Sequence, residues 1–275
     1  MQRKNILVLI DEKNNTEKFR EWISDLFDDE NLSIYVVNDE NLSLVDKELV
    51  ISDKVFNFLS GELFDLIQKK IESIKIDYFG NSLANIKLLS KKANFKHIIQ
   101  LSEFKTAVFE KIRDRNAIEL FNNFPQPSRI FSKTNHYFSG KLSSLDDIDK
   151  ELSKIDNKNE FYIEEYIEGA DIQVLFLKFK KNNFILPYFN DSGEYYPIED
   201  EIREEIKTNV LSFIEKSELK DFAIFDLKFS KKRGLYFLNI FIENIDLYKN
   251  LEKINKFLKI QGFNNLKEVL KKNLF

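Results

Sequence analysis

The strongest constraint on the fold of this chain is a run of six residues near the N-terminus, NILVLI at Asn5–Ile10. An uninterrupted apolar run of this length is typical of a strand that is buried on both faces of a parallel sheet. Apolar residues then recur at helical spacing between residues 19 and 27, which predicts an amphipathic helix. Two more apolar runs, Ser33–Val37 and Val55–Leu59, are predicted strands. This strand–helix–strand alternation predicts an α/β lobe with a parallel sheet over residues 1–80.

The rest of the chain has a different pattern. Helical segments are predicted up to about Phe124, where two prolines interrupt them. Strand-like segments then follow one another, and a turn at Lys231–Gly234 joins two of them in a hairpin. The fold class is therefore α/β plus α+β, with two sheets facing each other across a cleft, where ligands are most often bound. The predicted strands are Arg129–Lys133, His136–Leu142, Glu160–Tyr166, Asp171–Lys180, Asn183–Tyr188, Phe222–Ser230 and Leu235–Phe241.

Composition argues against several classes of protein. The chain has 42 Lys and Arg against 46 Asp and Glu, so it lacks the basic balance of a dedicated nucleic-acid binder. It has no cysteine, which excludes a disulfide scaffold and a cysteine zinc site. No stretch approaches the roughly 18 apolar residues of a membrane span, and the first run is too short for a signal peptide. We expect a cytoplasmic protein without nucleic-acid or membrane partners.

Four segments carry a recognisable order and spacing. They are GNSLANIKLLSKKANFK at Gly80–Lys96, RIFSK at Arg129–Lys133, FYIEEYIEGADIQV at Phe161–Val174 and DFAIFDLKFSKKRGLYFLNIFIEN at Asp221–Asn244. Together they resemble the ATP-grasp superfamily, and specifically D-alanine–D-alanine ligase, over nearly the whole chain.

The resemblance implies an ATP-grasp architecture. An N-terminal Rossmann-like α/β domain would span residues 1–80, a small subdomain residues 81–164 and a C-terminal subdomain residues 165–275. The last two would carry antiparallel sheets that enclose a nucleotide cleft. The resemblance also implies ATP as the cofactor, a small amino acid or peptide as a substrate, and a homodimer.

The resemblance also implies roles for residues on the nucleotide. Glu164, Glu165, Tyr166 and Ile167 match the hinge that recognises adenine, and Asp171 stands where an acid binds the ribose hydroxyls. Lys96, together with Lys92, and Lys133 match lysines that reach the phosphates. A flexible ammonium suits that role because it can follow phosphate charge. Glycine-rich phosphate loops are absent: there are only seven glycines and no Walker A or GxGxxG pattern.

The metal-binding segment departs most from the family. Asp226 matches the family's metal-binding Asp, but the bridging Glu falls on Asn239 and the second ligand, an Asn, falls on Phe241. Ile224 stands at the position where the family has an arginine. Mg²⁺ prefers six oxygen ligands, so this set of side chains makes a magnesium site doubtful. The nearby acidic residues Glu243 and Asp246 are the alternative candidates.

Three functions stay open at this point. The first is a diverged ATP-grasp protein that binds a nucleotide with weak or no ligase turnover. The second is an active ATP-dependent carboxylate–amine ligase in which Asp226, Asn239 and Glu243 hold the magnesium. The third is an interaction module that keeps only the fold. Residues 11–17, where the family has a glycine-rich segment for the first D-alanine, give no basis for assigning that site.

Overall fold

The computed structural model of this chain describes residues 4–27, 30–132, 139–178, 183–191, 194–260 and 262–274. A parallel sheet forms the N-terminal lobe and confirms the predicted α/β layer. Its strands are β1 (Asn5–Ile10), β2 (Asn31–Val36), β3 (Lys54–Asn57) and β4 (Tyr78–Phe79). They lie in the order β2-β1-β3-β4, all parallel.

Three helices accompany this sheet. They are α1 (Glu17–Leu26), α2 (Val45–Ile51) and α3 (Gly61–Ile74). α1 begins at Glu17 because the Thr16 side chain accepts a hydrogen bond from the amide of Phe19, which satisfies one free donor of the first turn. Phe19 and Ile23 of this helix are buried, as the helical spacing predicts.

A small antiparallel sheet lies in the middle of the chain. Its strands are β5 (Phe109–Lys111), β6 (Ser128–Ser132) and β7 (Phe161–Glu165), in the order β5-β7-β6. The helices of this part are α4 (Leu83–Leu89), α5 (Lys92–Leu101), α6 (Ala117–Asn123) and α7 (Leu145–Leu152). The prediction of helices up to Phe124 was wrong for β5, because three residues are too few to show a strand periodicity.

A five-stranded antiparallel sheet follows and confirms the predicted second antiparallel layer. Its strands are β8 (Ala170–Lys178), β9 (Asn183–Asp191), β10 (Glu194–Pro197), β11 (Phe222–Ser230) and β12 (Gly234–Phe241). Their order is β10-β9-β8-β11-β12. The remaining helices are α8 (Asp200–Ser217), α9 (Asn244–Lys249), α10 (Leu251–Ile260) and α11 (Leu266–Leu274). None of the helices in the described ranges is long and apolar enough to span a membrane.

The buried apolar side chains join the N-terminal lobe to the five-stranded sheet. One cluster contains Leu7 of β1 and Val174 of β8, and a second contains Val8 of β1 and Leu175 of β8. A third cluster contains only residues 112–163, from the small sheet, α6, α7 and nearby loops. We call this third part the small lobe. The helices α4 and α5 contribute to the first cluster, although residues 81–164 are the predicted small subdomain.

Polar and aromatic contacts close the junction between the N-terminal lobe and the last helices. The Asn244 side-chain amide donates to the carbonyls of Asn57 (3.0 Å) and Phe79 (2.9 Å). The Trp22 ring lies 5.3 Å from that of Tyr248 in α9, measured between ring centroids. These contacts bring α9 against the carboxyl ends of the parallel strands.

Candidate functional site

A cavity of about 300 Å³ lies between the small sheet and the five-stranded sheet, where the resemblance implies a nucleotide. Its lining differs in charge from one side to the other. One wall carries cations from α5 and β6, and the other carries acids and amides from β8, β11 and β12. The polar lining residues are Lys92, Arg129, Asp171, Gln173, Asp226 and Asn239.

A buried carboxylate organises the cationic wall. Glu164 has no solvent-exposed side-chain surface, and its Oε1 lies 2.6 Å from Nζ of Lys92. Its Oε2 lies 2.9 Å from Nζ of Lys96, and the Arg129 guanidinium donates to Oε1. β6 and β7 pair Arg129 directly opposite Glu164, while Lys92 and Lys96 share one face of α5 because they are four residues apart.

Burial and charge shift the pKa values of this cluster in a consistent direction. Burial alone would raise the pKa of Glu164, but Lys92, Lys96 and Arg129 together hold it well below its usual range. Burial lowers the pKa of Lys92 to about 7, against the attraction of Glu164. Burial also lowers the pKa of Lys96. Glu164 is therefore ionised, and Lys92 titrates near neutral pH.

The two lysines of α5 have different surroundings. Lys92 lines the cavity, and its Nζ lies 4.2 Å from the centre of the Phe131 ring. Nζ of Lys96 is fully buried and donates to Thr106 Oγ1 (2.8 Å) and to the carbonyl of Ala107 (3.3 Å). The lysine that reaches the cavity is thus Lys92, whereas Lys96, the residue predicted to bind phosphate, lies behind it. Lys133, the other predicted phosphate ligand, lies outside the described residues.

The predicted adenine hinge begins in the last two residues of β7 and continues past the end of that strand. The Glu165 carboxylate accepts hydrogen bonds from both terminal nitrogens of Arg233, which lies in the turn between β11 and β12. The amide of Tyr166 donates to the carbonyl of Pro127 at 2.9 Å, which continues the pairing of β7 past its last residue. These contacts attach the hinge to the five-stranded sheet on one side and to the small sheet on the other.

The hinge is also closely packed. Ile167 is only 4% exposed and belongs to a small buried cluster with Ala107, Tyr236 and Leu238. Gly169 lies against β11, and a Cβ added there would be 2.3 Å from the carbonyl oxygen of Phe229. A side chain cannot be accommodated at that distance without a backbone shift, so glycine is required for this approach.

The predicted ribose acid is held in an ion pair. Asp171 accepts a hydrogen bond from Nζ of Lys228 at 2.8 Å, and the Asp171 side chain is 57% exposed while that of Lys228 is 10% exposed. Nζ of Lys228 also lies 5.8 Å from the centre of the Tyr166 ring. Sequence reasoning did not single out Lys228, although its place two residues after Asp226 on one strand puts both on the same face of the sheet.

The predicted metal ligands are neighbours in the sheet. Asp226 pairs directly opposite Asn239 on β12 and opposite Gln173 on β8. The Gln173 amide donates to Oδ1 of Asp226 at 2.8 Å. Burial raises the pKa of Asp226 above its usual value. Gln173, which sequence reasoning missed, is thus a polar partner of Asp226, the only acid in this row.

The magnesium site implied by the resemblance does not fit these residues. Asp226 supplies one carboxylate and Asn239 one neutral amide, while Phe241 lines the cavity without an oxygen. Ile224, in place of the expected arginine, is buried in the second apolar cluster. Mg²⁺ requires a nearly octahedral set of oxygen ligands. Within the described residues there is no group of three or more His, Cys, Asp and Glu side chains suited to a metal.

Glu243 and Asp246 form a capping box at the start of α9. The Glu243 amide donates to Oδ2 of Asp246 at 3.0 Å, and the Glu243 side chain accepts from the third helical residue. Burial, helped by the charge of Glu243, raises the pKa of Asp246 to about 7. Neither side chain lines the cavity described above, because both satisfy amides at the helix end.

Comparison with known proteins gives a match in structure but not in sequence. No protein-family model matches the chain, and no curated protein matches its sequence. The D-alanine–D-alanine ligase from Bacillus anthracis, solved in complex with ATP, is 16% identical with a TM-score of 0.77, covering 98% of this chain and 95% of that one. The VanG D-Ala:D-Ser ligase from Enterococcus faecalis is 15% identical with a TM-score of 0.64, covering 89% and 91%.

A third similar structure is also that of an amino acid ligase. The L-amino acid ligase from Bacillus licheniformis is 14% identical with a TM-score of 0.65, covering 88% of this chain and 68% of that one. At these identities the likeness establishes the fold. With a parallel sheet followed by two antiparallel sheets that flank the cavity, this chain has the ATP-grasp fold in the form found in D-alanine–D-alanine ligases.

Proposed function

We propose that this chain is a diverged ATP-grasp protein that binds an adenine nucleotide through its phosphates and does not turn over as a ligase. The observation that carries the proposal is the asymmetry of the cavity. Lys92 and Arg129 form one wall, and the other carries Asp226 beside the amides of Gln173 and Asn239, together with Asp171, which is paired with Lys228.

Charge supports an anionic ligand at the cationic wall. Lys92, Lys96 and Arg129 share one buried carboxylate, Glu164, which leaves a surplus of two positive charges when all three are protonated. On the opposite wall Asp171 is paired with Lys228, so it adds little net charge. A phosphate group is a favourable ligand for such a wall, because charge-assisted hydrogen bonds are stronger than neutral ones. The Bacillus anthracis ligase of the same fold is described as an ATP complex.

The lack of turnover follows from the groups that stand where the resemblance implies catalytic ones. Ile224 and Phe241 replace a cation and a metal ligand, and the acids Glu243 and Asp246 are used at a helix end. Losing one preorganised group that stabilises a transition state typically costs about 2.7–4 kcal/mol. Several such losses leave little rate enhancement, even though they do not simply add.

Calorimetric titration of ATP into the protein tests the binding. We expect micromolar affinity in wild type and at least a tenfold loss in Lys92→Ala. Lys91→Ala is the matched control, because Lys91 is the exposed neighbour of Lys92. Lys133→Ala tests the remaining predicted phosphate ligand. Equal affinity in wild type and Lys92→Ala would contradict the assigned binding wall.

A product assay tests the absence of turnover. Wild type and Asp226→Ala are incubated with ATP, Mg²⁺ and mixtures of D- and L-amino acids, and the release of ADP and phosphate is measured. We expect the two proteins to give the same background. Release by wild type that is dependent on an amino acid and lost in Asp226→Ala would establish an active ligase instead.

A second candidate function, an interaction module that binds no nucleotide, is favoured by the packing at the hinge. Ile167, Ala107, Tyr236 and Leu238 are buried against one another at the place where adenine is implied. If this packing is permanent, ATP gives no heat even at millimolar concentration. The same titration therefore separates the two candidates.

A further inference from the structure

We infer that Gln173 takes the place of a divalent cation at Asp226, so that the cavity holds its anionic ligand without a metal. The nature of that ligand rests on the proposed function. The contact between Gln173 and Asp226 does not, because it is a feature of the protein alone.

The geometry places an amide hydrogen where a cation would have to bind. Gln173 on β8 and Asp226 on β11 are direct partners in the antiparallel ladder, so their side chains stand side by side on one face. Nε2 of Gln173 donates to Oδ1 of Asp226 at 2.8 Å, and Gln173 is 9% exposed. A half-buried carboxylate oxygen is usually hydrogen-bonded, and this amide supplies a partner without a full positive charge.

The surrounding row has too little negative charge for a divalent ion. Gln173, Asp226 and Asn239 stand next to one another on the adjacent strands β8, β11 and β12. Only the central residue is ionisable. Mg²⁺ binds oxygen ligands and is usually held by one or two carboxylates together with substrate phosphates, so one carboxylate alone is a weak site in the nucleotide-free protein. Here the single carboxylate already accepts a hydrogen bond.

The opposite wall supplies the positive charge that a metal would otherwise bring. Lys92 and Arg129 line the same cavity as Gln173 and Asp226. A ligand phosphate there is neutralised by these side chains directly. Mg²⁺ in excess should then fail to strengthen ATP binding, because the magnesium complex carries less negative charge to meet Lys92 and Arg129.

The decisive experiment titrates Mn²⁺ into the nucleotide-free protein and follows the loss of the free Mn²⁺ signal by electron paramagnetic resonance. Wild type should bind no Mn²⁺ below millimolar concentration. Gln173→Glu, nearly equal in shape, puts a second carboxylate beside Asp226 and should bind Mn²⁺ at least tenfold more tightly. Gln173→Met removes the amide without adding charge and should behave as wild type. Gln173→Glu combined with Asp226→Asn should lose the gained binding.

Each outcome decides the inference. Mn²⁺ binding by wild type that is lost in Asp226→Asn would overturn it, and so would a folded Gln173→Glu variant that gains nothing. Equal gain in Gln173→Met would overturn the role assigned to missing charge, because loss of the amide alone would then open Asp226 to the ion. If Gln173→Glu does not fold, Asn239→Asp adds the same charge on the other side of Asp226 and should gain Mn²⁺ binding.

The test is independent of nucleotide binding. Failure of ATP to bind wild type would contradict the proposed function. The Mn²⁺ titration would still test the role of Gln173, because it uses no nucleotide. Conversely, ATP binding that strengthens tenfold or more with Mg²⁺ would preserve the proposed function and overturn the role of Gln173.

Discussion

Nζ of Lys92 lies 2.6 Å from Oε1 of Glu164, and the two side chains are 1% and 0% exposed to solvent. This ion pair joins α5, which belongs to the first apolar cluster, to β7 of the small lobe. Glu164→Gln would leave Lys92, Lys96 and Arg129 without their shared counter-charge. Removing one partner of a buried ion pair typically costs about 3–5 kcal/mol, and we expect a loss of that size in urea denaturation.

The neighbouring acid provides the control for this change. Glu165 pairs with Arg233, whose side chain is 47% exposed, so Glu165→Gln should cost no more than about 1 kcal/mol. Equal losses for the two variants would show that Glu164 contributes no more than a surface pair.

Lys92 should make ligand binding depend on pH. Its pKa is lowered to about 7 by burial, and Glu164, Lys96 and Arg129 are the charged groups around it. A bound phosphate favours the protonated form, so affinity should fall as pH rises through 7, by at most about tenfold per pH unit. Arginine keeps its charge over this range, so Lys92→Arg is the control. The titration of ATP itself affects both proteins equally and cancels in the ratio of wild-type to Lys92→Arg affinity. A constant ratio between pH 6 and 8.5 would contradict the prediction.

Gly169 should not tolerate a side chain. The Cβ of Gly169→Ala would lie 2.3 Å from the carbonyl oxygen of Phe229, which is backbone and cannot turn away. We expect a loss of about 1–3 kcal/mol in the free energy of unfolding, as for other overpacked sites. Gly140→Ala is the matched control, because a Cβ there has no atom within 4 Å. Thermal and urea denaturation of both variants measure the difference.

Ionisation of Asp246 should lower the stability of the folded protein as pH rises. Its pKa is raised to about 7 in the folded protein from an ordinary value of 3.8, so the folded state binds a proton that the unfolded state has released. The stabilisation of the folded state by this proton is fully present below pH 3.8 and is lost as pH rises through 7. Asp246→Asn keeps an oxygen for the Glu243 amide but cannot ionise. Above pH 7 it should be more stable than wild type by about 1–2 kcal/mol after allowance for solvent screening.

The comparison between Asp246→Asn and wild type is made by urea denaturation at pH 4, 5.5, 7 and 8. The two proteins should agree at pH 4 and separate as pH rises. A difference that is constant over this range would assign the effect to the cap alone.

Local patterns in the sequence were enough for most of the fold. The NILVLI run and the hairpin at Lys231–Gly234 are short-range signals, and the structure contains both. The capping box of Glu243 and Asp246 was missed as a box, because glutamate is not among the usual residues at the first cap position. These two acids were considered as metal ligands instead.

Pairing across strands could not be predicted in the same way. Gln173 and Asp226 are 53 residues apart, and their contact depends on the register of β8 against β11. A slip of one residue would put either side chain on the opposite face. Lys92 and Lys96 fit the same motif equally well, and only the packing of α5 determines that Lys92 lines the cavity while Lys96 is fully buried.

The position of the only tryptophan has a spectroscopic consequence. The ring centroid of Trp22 lies 5.7 Å from that of Phe58 and 5.3 Å from that of Tyr248, at the junction of the N-terminal lobe with α9. Its emission therefore reports whether that junction is intact. The small lobe has no tryptophan, so its opening or separate unfolding leaves this signal unchanged and must be followed by circular dichroism or hydrogen exchange.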